Sequence, residues 1–345
     1  MPRRSSTPEL VAGARAGDAR AVARLISLVE DGSDRLREVM ALLAPHSGRA
    51  RVIGLTGSPG VGKSTATSAL VAAFRARGER VGVLAVDPSS PFSGGALLGD
   101  RVRMQEHALD PGVFIRSMAS RGHLGGLSWA TPQALRVLDA AGSDVVLIET
   151  VGVGQSEVEV AGTADTVVVL LAPGMGDGVQ AAKAGILEIG DVYVVNKADR
   201  DGADATAREL RYMLSLGHRG GAAVGTGGGA AVGTGGGAAV GTRAGAAVGW
   251  TPPIVKTIAS QGEGMAEVVA ALDAHREWLE SSGQLVARRR ARAAAEIEAI
   301  ALTSLRARMD DLREGLRPGD LADEVASGRL DPYAAADQLI AGVTG

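Results

Sequence analysis

Eight consecutive residues carry the clearest chemistry in the chain. Gly57-Ser58-Pro59-Gly60-Val61-Gly62-Lys63-Ser64 satisfies G-x-x-x-x-G-K-[ST] without a mismatch and runs on into Thr65. In such a loop the glycines let backbone N–H groups turn towards polyphosphate oxygens, and the helix that follows adds its positive dipole end. Lys63 offers a mobile positive charge to the β- and γ-phosphates, and the Ser64 hydroxyl is suited to Mg²⁺. Far downstream, Asn196-Lys197-Ala198-Asp199 follows an apolar run. A carboxylate only accepts hydrogen bonds, so Asp199 can take the N1–H and N2 amino hydrogens of guanine, a donor pair that adenine lacks. Lys197 would lie over the base, and Asn196 would tie this loop to the phosphate loop. GTP is therefore expected over ATP.

Glu149-Thr150-Val151-Gly152 occupies the place where many GTPases carry Asp-x-x-Gly. In those proteins the acid holds the metal through water and the glycine N–H meets the γ-phosphate. Two more acids, Asp87 and Asp100, stand where metal or water contacts could form. For Asp87 the competing reading is a turn-forming residue before Pro88, and for Asp100 a solvated loop acid. The expected chemistry is metal-assisted phosphoryl transfer to water. Mg²⁺ and Lys63 spread the developing charge, Gly152 fixes its orientation, and Gln155 stands as a candidate to orient the water.

These residues need a scaffold, and the pattern around them supplies one. Apolar runs Val52–Thr56, Val81–Val86, Val145–Ile148, Thr166–Leu171, Val192–Val195 and Ile254–Thr257 alternate with helical stretches. Runs apolar on both faces predict strands of a parallel sheet covered by helices. Thr131 is read as the cap of one such helix, with Pro132 at its first position and Gly142 past its end. The fold class is therefore α/β, a P-loop NTPase with a mostly parallel central sheet, flanked by N-terminal and C-terminal helical segments. The first of these, 1–48, shows one buried helix face in Ala19, Val22, Ala23, Ile26 and Val29, and a second in Leu36, Val39, Met40 and Leu43. The P-loop domain spans 49–282. The last segment, 283–345, has Ile297, Ile300, Ala301, Leu305, Met309, Leu312 and Leu316 on one helical face, and Asp331-Pro332 opens a final short helix. Between 219 and 249 lies a glycine-rich insert in which GAAVGTGG begins at Gly221, recurs at Gly229 and decays at Gly237 and Gly245. It is read as a low-complexity loop, because glycine-rich composition does not offset ordering entropy.

Composition excludes several function classes. Thirty-six Lys and Arg against 39 Asp and Glu leave a net charge of −3, which provides no electrostatic reason for a nucleic-acid or anionic-membrane partner. With no cysteine there is no thiolate metal site or cysteine nucleophile. Nine aromatic residues make a poor stacking surface for single strands. There is no signal peptide and no apolar run of membrane-spanning length, so a cytoplasmic protein is expected.

Together the stretches GSPGVGKST (57–65), VDPSSPFSGGALLGDRVRM (86–104), IETVGVGQSEVEV (148–160), PGMGDGVQAAKAG (173–185), NKAD (196–199) and LDPYAAADQL (330–339) resemble one family. It is the GTPase chaperone associated with adenosylcobalamin-dependent methylmalonyl-CoA mutase, also labelled LAO/AO transport ATPase-like. The resemblance implies that Lys63 and Ser64 bind phosphate and Mg²⁺, with Asp87, Asp100 and Glu149 as the metal's carboxylate shell. It implies that Asp177–Lys183 belongs to a segment reporting nucleotide state to the mutase, with Asp177 and Lys183 helping to arrange catalysis. It further implies a homodimer joined through C-terminal helices, and a role in gating cofactor delivery and protecting or reactivating the mutase. Two departures stand out: the glycine repeat, and Lys256-Thr257-Ile258-Ala259-Ser260 in place of the Ser-Ala form of the loop near the base. The competing readings are a kinase or ATPase attached to amino-acid transport, a metallochaperone GTPase, and a nucleotide sensor without turnover. The scattered histidines His46, His107, His123, His218 and His275 disfavour the metallochaperone.

Overall fold

The computed structural model describes residues 5–87, 104–107, 109–119, 130–150, 156–174, 186–220, 249–315 and 318–344. Seven parallel strands form one sheet in the order β3-β2-β4-β1-β5-β6-β7. They are β1 (Arg51–Thr56), β2 (Val81–Asp87), β3 (Val113–Ala119), β4 (Val145–Thr150), β5 (Thr166–Leu171), β6 (Val192–Asn196) and β7 (Ile254–Thr257). The β1 strand lies between β4 and β5, with Leu55 opposite Glu149 and Thr56 opposite Val169.

Side chains alternate across the sheet with period two, and both faces are buried. On one face Ile53, Leu55, Val83, Leu147, Val168, Leu170 and Val194 pack against the helices Lys63–Ala76 (α4) and Met265–Ser281 (α9). The opposite face holds two clusters. Val52, Ile148, Val167, Val169, Tyr193 and Val195 pack with Val160, Ala203, Ala207 and Leu210. Leu84, Met118 and Val146 pack with the helices Thr7–Arg15 (α1), Ala19–Glu30 (α2), Leu36–Leu43 (α3) and Thr131–Ala140 (α5). The N-terminal helices thus share the sheet's core. Their exit into β1 is pinned by the buried Asp139 of α5, whose carboxylate accepts from the backbone N–H groups of Gly48, Arg49 (3.2 Å) and Ala50 (2.9 Å).

Two local readings are corrected. The strand β3 is absent from the sequence reading because Arg116 and Ser117 break its apolar run. It is an edge strand, and Arg116 reaches out to Glu30 and Ser27 of α2 instead of entering the core. Thr131 is the first residue of its helix, not the cap: Ala130 holds that place and no side chain caps the end. Asp87 is the last residue of β2, opposite Ala119.

The chain divides into two compact units, 1–286 and 287–345. Within the second, the helices Pro318–Ala326 and Pro332–Thr344 pack on each other, and Asp331 caps the latter by accepting from the N–H groups of Tyr333 and Ala334. No helix among the described residues is long and apolar enough to cross a membrane. The repeat at 221–248 lies outside the described residues.

Candidate active site

The phosphate loop leaves the carboxyl end of β1 and enters α4, the position at which open parallel sheets bind ligands. Two glycines there have no substitute. Gly57 has φ +141°, and a Cβ on it would lie 2.3 Å from the Leu170 carbonyl oxygen of β5. Gly62 caps α4 at φ +93°, and its Cβ would strike Asn196 Nδ2 at 2.6 Å. Lys63 is buried, and its ammonium donates to the carbonyls of Gly57 (2.6 Å) and Ser58 (3.1 Å). It is therefore held inside the loop it serves, and meeting a phosphate requires exchanging these carbonyls for phosphate oxygens.

Ser64 and Glu149 meet at the junction of α4 and β4. The Ser64 hydroxyl donates to Glu149 Oε1 at 2.6 Å, and both residues are buried. A hydroxyl beside a carboxylate is an all-oxygen donor pair, the kind that suits a hard cation such as Mg²⁺. Asp87 ends β2 two positions beyond Ala85, which pairs with Glu149 across the ladder. Asp100, Gly152, Gln155, Asp177 and Lys183 lie outside the described residues. Among the described residues no group of three His, Asp or Glu gathers into a metal cluster.

The base loop is built around Asn196, the last residue of β6. Its Nδ2 donates to the Val61 carbonyl of the phosphate loop (2.9 Å). Its Oδ1 accepts from Thr257 Oγ1 (3.1 Å) at the end of β7 and from the Ala259 N–H (3.1 Å) in the loop that follows. One buried amide therefore joins three loops that are far apart in sequence. Ala198 N–H donates to the Thr257 carbonyl (3.0 Å) and Lys197 Nζ to the Gly60 carbonyl (2.6 Å). Lys197 has φ +58°, the one non-glycine residue with positive φ among those described. A lysine in this region costs about 1–2 kcal/mol, and such strain concentrates at functional sites. Asp199 is exposed, and its carboxylate bonds to no described residue, which leaves its acceptor atoms for a ligand.

The links through Thr257 and Ala259 were not readable from sequence, since spacing says nothing about which loops converge. Gly264 completes that loop: its φ is +76°, and a Cβ there would lie 2.3 Å from the Lys256 carbonyl oxygen. The Ile258–Glu263 bridge closes the turn.

A parallel sheet of this order, a G-x-x-x-x-G-K-S turn at the end of its central strand and an N-K-x-D loop tied to that turn define a P-loop GTPase. Comparison with known proteins takes this further. The family described as Methylmalonyl Co-A mutase-associated GTPase MeaB matches residues 22–313, and the chain belongs to that family. A Pyrococcus abyssi protein named as a GTPase is 44% identical over 337 residues, 98% of this chain and 97% of its own. The Mus musculus protein named methylmalonic aciduria type A homolog, mitochondrial, is 34% identical over 295 residues, 81% of this chain and 64% of its own. A crystal structure described as an LAO/AO transport system kinase superposes with a TM-score of 0.65 at 25% identity, covering all of both chains.

Proposed function

We propose that this GTPase serves an adenosylcobalamin-dependent acyl-CoA mutase of the methylmalonyl-CoA mutase type, gating cofactor delivery and protecting or reactivating the enzyme. The observation that carries the client is the family match over 22–313, which the name of the mouse relative supports. The nucleotide reading rests on the Asn196 junction, which ties the loop carrying Asp199 to the phosphate loop.

In this reading the phosphate loop binds the triphosphate through its backbone N–H groups, and Lys63 leaves the Gly57 and Ser58 carbonyls for the β- and γ-phosphates. Ser64 and Glu149, with Asp87 and Asp100, hold Mg²⁺, which when bound neutralises charge on the transferring phosphoryl group. Gly152 orients the γ-phosphate and Gln155 the water, while Asp177 and Lys183 complete the arrangement when the mutase docks. Hydrolysis is slow alone and faster when the partner orders these segments. The organisation is 1–48, 49–282 and 283–345, the last pairing two copies. Exposed Ile297, Ile300, Leu302 and Leu305 on the helix Gln284–Gly315 (α10) support that pairing.

The test is single-turnover GTP hydrolysis with and without saturating mutase, together with identification of the mutase that co-purifies from cells. A rate unmoved by every cobalamin mutase of the source cell would refute the chaperone reading. The kinase reading, which the description of the similar crystal structure favours, predicts label from γ-phosphate-labelled GTP on an acceptor instead of in free phosphate. Sedimentation of a monomer at micromolar concentration would refute the pairing.

A further inference from the structure

The second compact unit, 287–345, has helices but shows no core of its own. Among its described side chains none is buried. The large apolar ones on α10 are open to solvent, Ile297 at 68% and Leu305 at 47%, with Ile300 and Leu302 exposed between them. Most helical stability in proteins comes from packing an apolar face, because backbone bonds alone barely offset the entropy of ordering a helix. A helix this long with no buried side chain in its described unit lacks that packing.

The exposed face has a symmetry. Ile297, Ala301 and Leu305 follow one another at four-residue spacing in a single row, and Ile300 and Leu302 flank it on either side. Each apolar residue before Ala301 has a counterpart equally far after it, Ile297 with Leu305 and Ile300 with Leu302. A two-fold axis through Ala301, perpendicular to the helix, exchanges the members of each pair. An isologous contact requires this self-complementarity, and such an axis makes the two helices antiparallel. The small side chain of Ala301 on the axis allows the backbones to approach.

Charge selects the same direction. Arg288, Arg289, Arg290 and Arg292 crowd the first third of α10. A parallel pair would lay this run beside its own copy, like charge against like. With the axis at Ala301, position 288 falls level with position 314 of the second copy, and 292 with 310. In sequence the stretch 310–314 carries Asp310, Asp311 and Glu314 with one arginine, Arg313.

We propose that the partner of this face is a second copy of the chain, bound antiparallel with Ala301 on the two-fold axis. The inference rests on the pairing of two copies read above and adds its direction and register.

The chain has no cysteine, so an introduced thiol reports a single contact. The full-length variants Ala301→Cys, Ala294→Cys, Ile297→Cys and Leu305→Cys, and the last two co-expressed, are oxidised mildly and run on a non-reducing gel, with sedimentation of wild type alongside. A disulfide needs Cβ atoms about 4 Å apart. Ala301→Cys should shift to the mass of a dimer, and so should the co-expressed pair. Ile297→Cys and Leu305→Cys alone should not, because each thiol lies about 12 Å along the axis from its own copy. Ala294 is one heptad before Ala301 on the same face, but its two copies lie about 21 Å apart, so Ala294→Cys should run as a single chain. Cross-linking of Ala294→Cys as readily as Ala301→Cys would show a parallel pair and overturn the proposal. A wild-type dimer in which neither Ala301→Cys nor the co-expressed pair cross-links would overturn it as well. If wild type sediments as a monomer, the pairing of copies itself fails, and this inference with it.

Discussion

Replacing Asn196 with alanine should separate the base loop from the phosphate loop. The side chain is 3% exposed and makes three hydrogen bonds, to the Val61 carbonyl, Thr257 Oγ1 and the Ala259 N–H. At about 1 kcal/mol net each, their loss amounts to about 3 kcal/mol. Much of this should appear in nucleotide affinity, because Asp199 sits at the surface and can relax in the free protein, but must realign to meet a base. About 3 kcal/mol corresponds to about a hundredfold in Kd. Two companion variants divide the effect. Thr257→Val removes one bond and should cost about fivefold. Asn196→Asp keeps both acceptor bonds but turns a second acceptor towards the Val61 carbonyl in a buried site, so it should be no better than alanine. Calorimetric titration with a non-hydrolysable GTP analogue reads all three, with thermal unfolding as the control for gross damage. Asn196→Asp binding within threefold of wild type would refute the argument, since the tie would then owe nothing to the amide's donor.

Further outcomes follow from individual contacts. Asp199→Asn should weaken GTP binding by about a hundredfold or more, because a carboxylate accepting two donors is replaced by a group that accepts at one atom only, and ATP binding should not change; competition titration decides it. Asp139→Ala removes the carboxylate that accepts from three N–H groups at residues 48–50, and should lower stability by about 2–4 kcal/mol with an unchanged denaturant slope; a loss under about 1 kcal/mol would contradict that role. The hydrogen bond from Arg75, then that from the Gly112 N–H, hold the Asp110 carboxyl below its ordinary value. A depressed folded-state pKa contributes stability above the unfolded pKa, about 4, and that contribution is lost as pH falls through the folded value. Thermal melts of wild type and Asp110→Asn should therefore differ at pH 6 and converge well below pH 4. A constant gap down to acid pH would argue against it.

The contrast between what is local and what is not explains the legibility of this protein. The phosphate loop is a run of adjacent residues whose glycines answer to backbone geometry alone, so it is legible without any tertiary contact. The apolar runs of β1, β2, β4, β5 and β6 were equally plain, because strands buried on both faces have few polar interruptions, and β7, at the other edge, was legible despite its exposed Lys256. The edge strand β3 was hidden by Arg116 and Ser117, which an edge tolerates. His275 looked like one of several scattered histidines, yet it is fully buried against the rings of Trp250 and Trp278, which also meet each other, with Thr166 Oγ1 at 2.9 Å. Which loops converge was decided only in three dimensions. Asn196 meets Thr257 across 61 positions and Val61 across 135, and Ser68 meets His107 across 39. Residue types announce which hydrogen bonds a group can make, but the partner is chosen by strand order and helix packing, which bring distant carbonyls and hydroxyls within 3 Å.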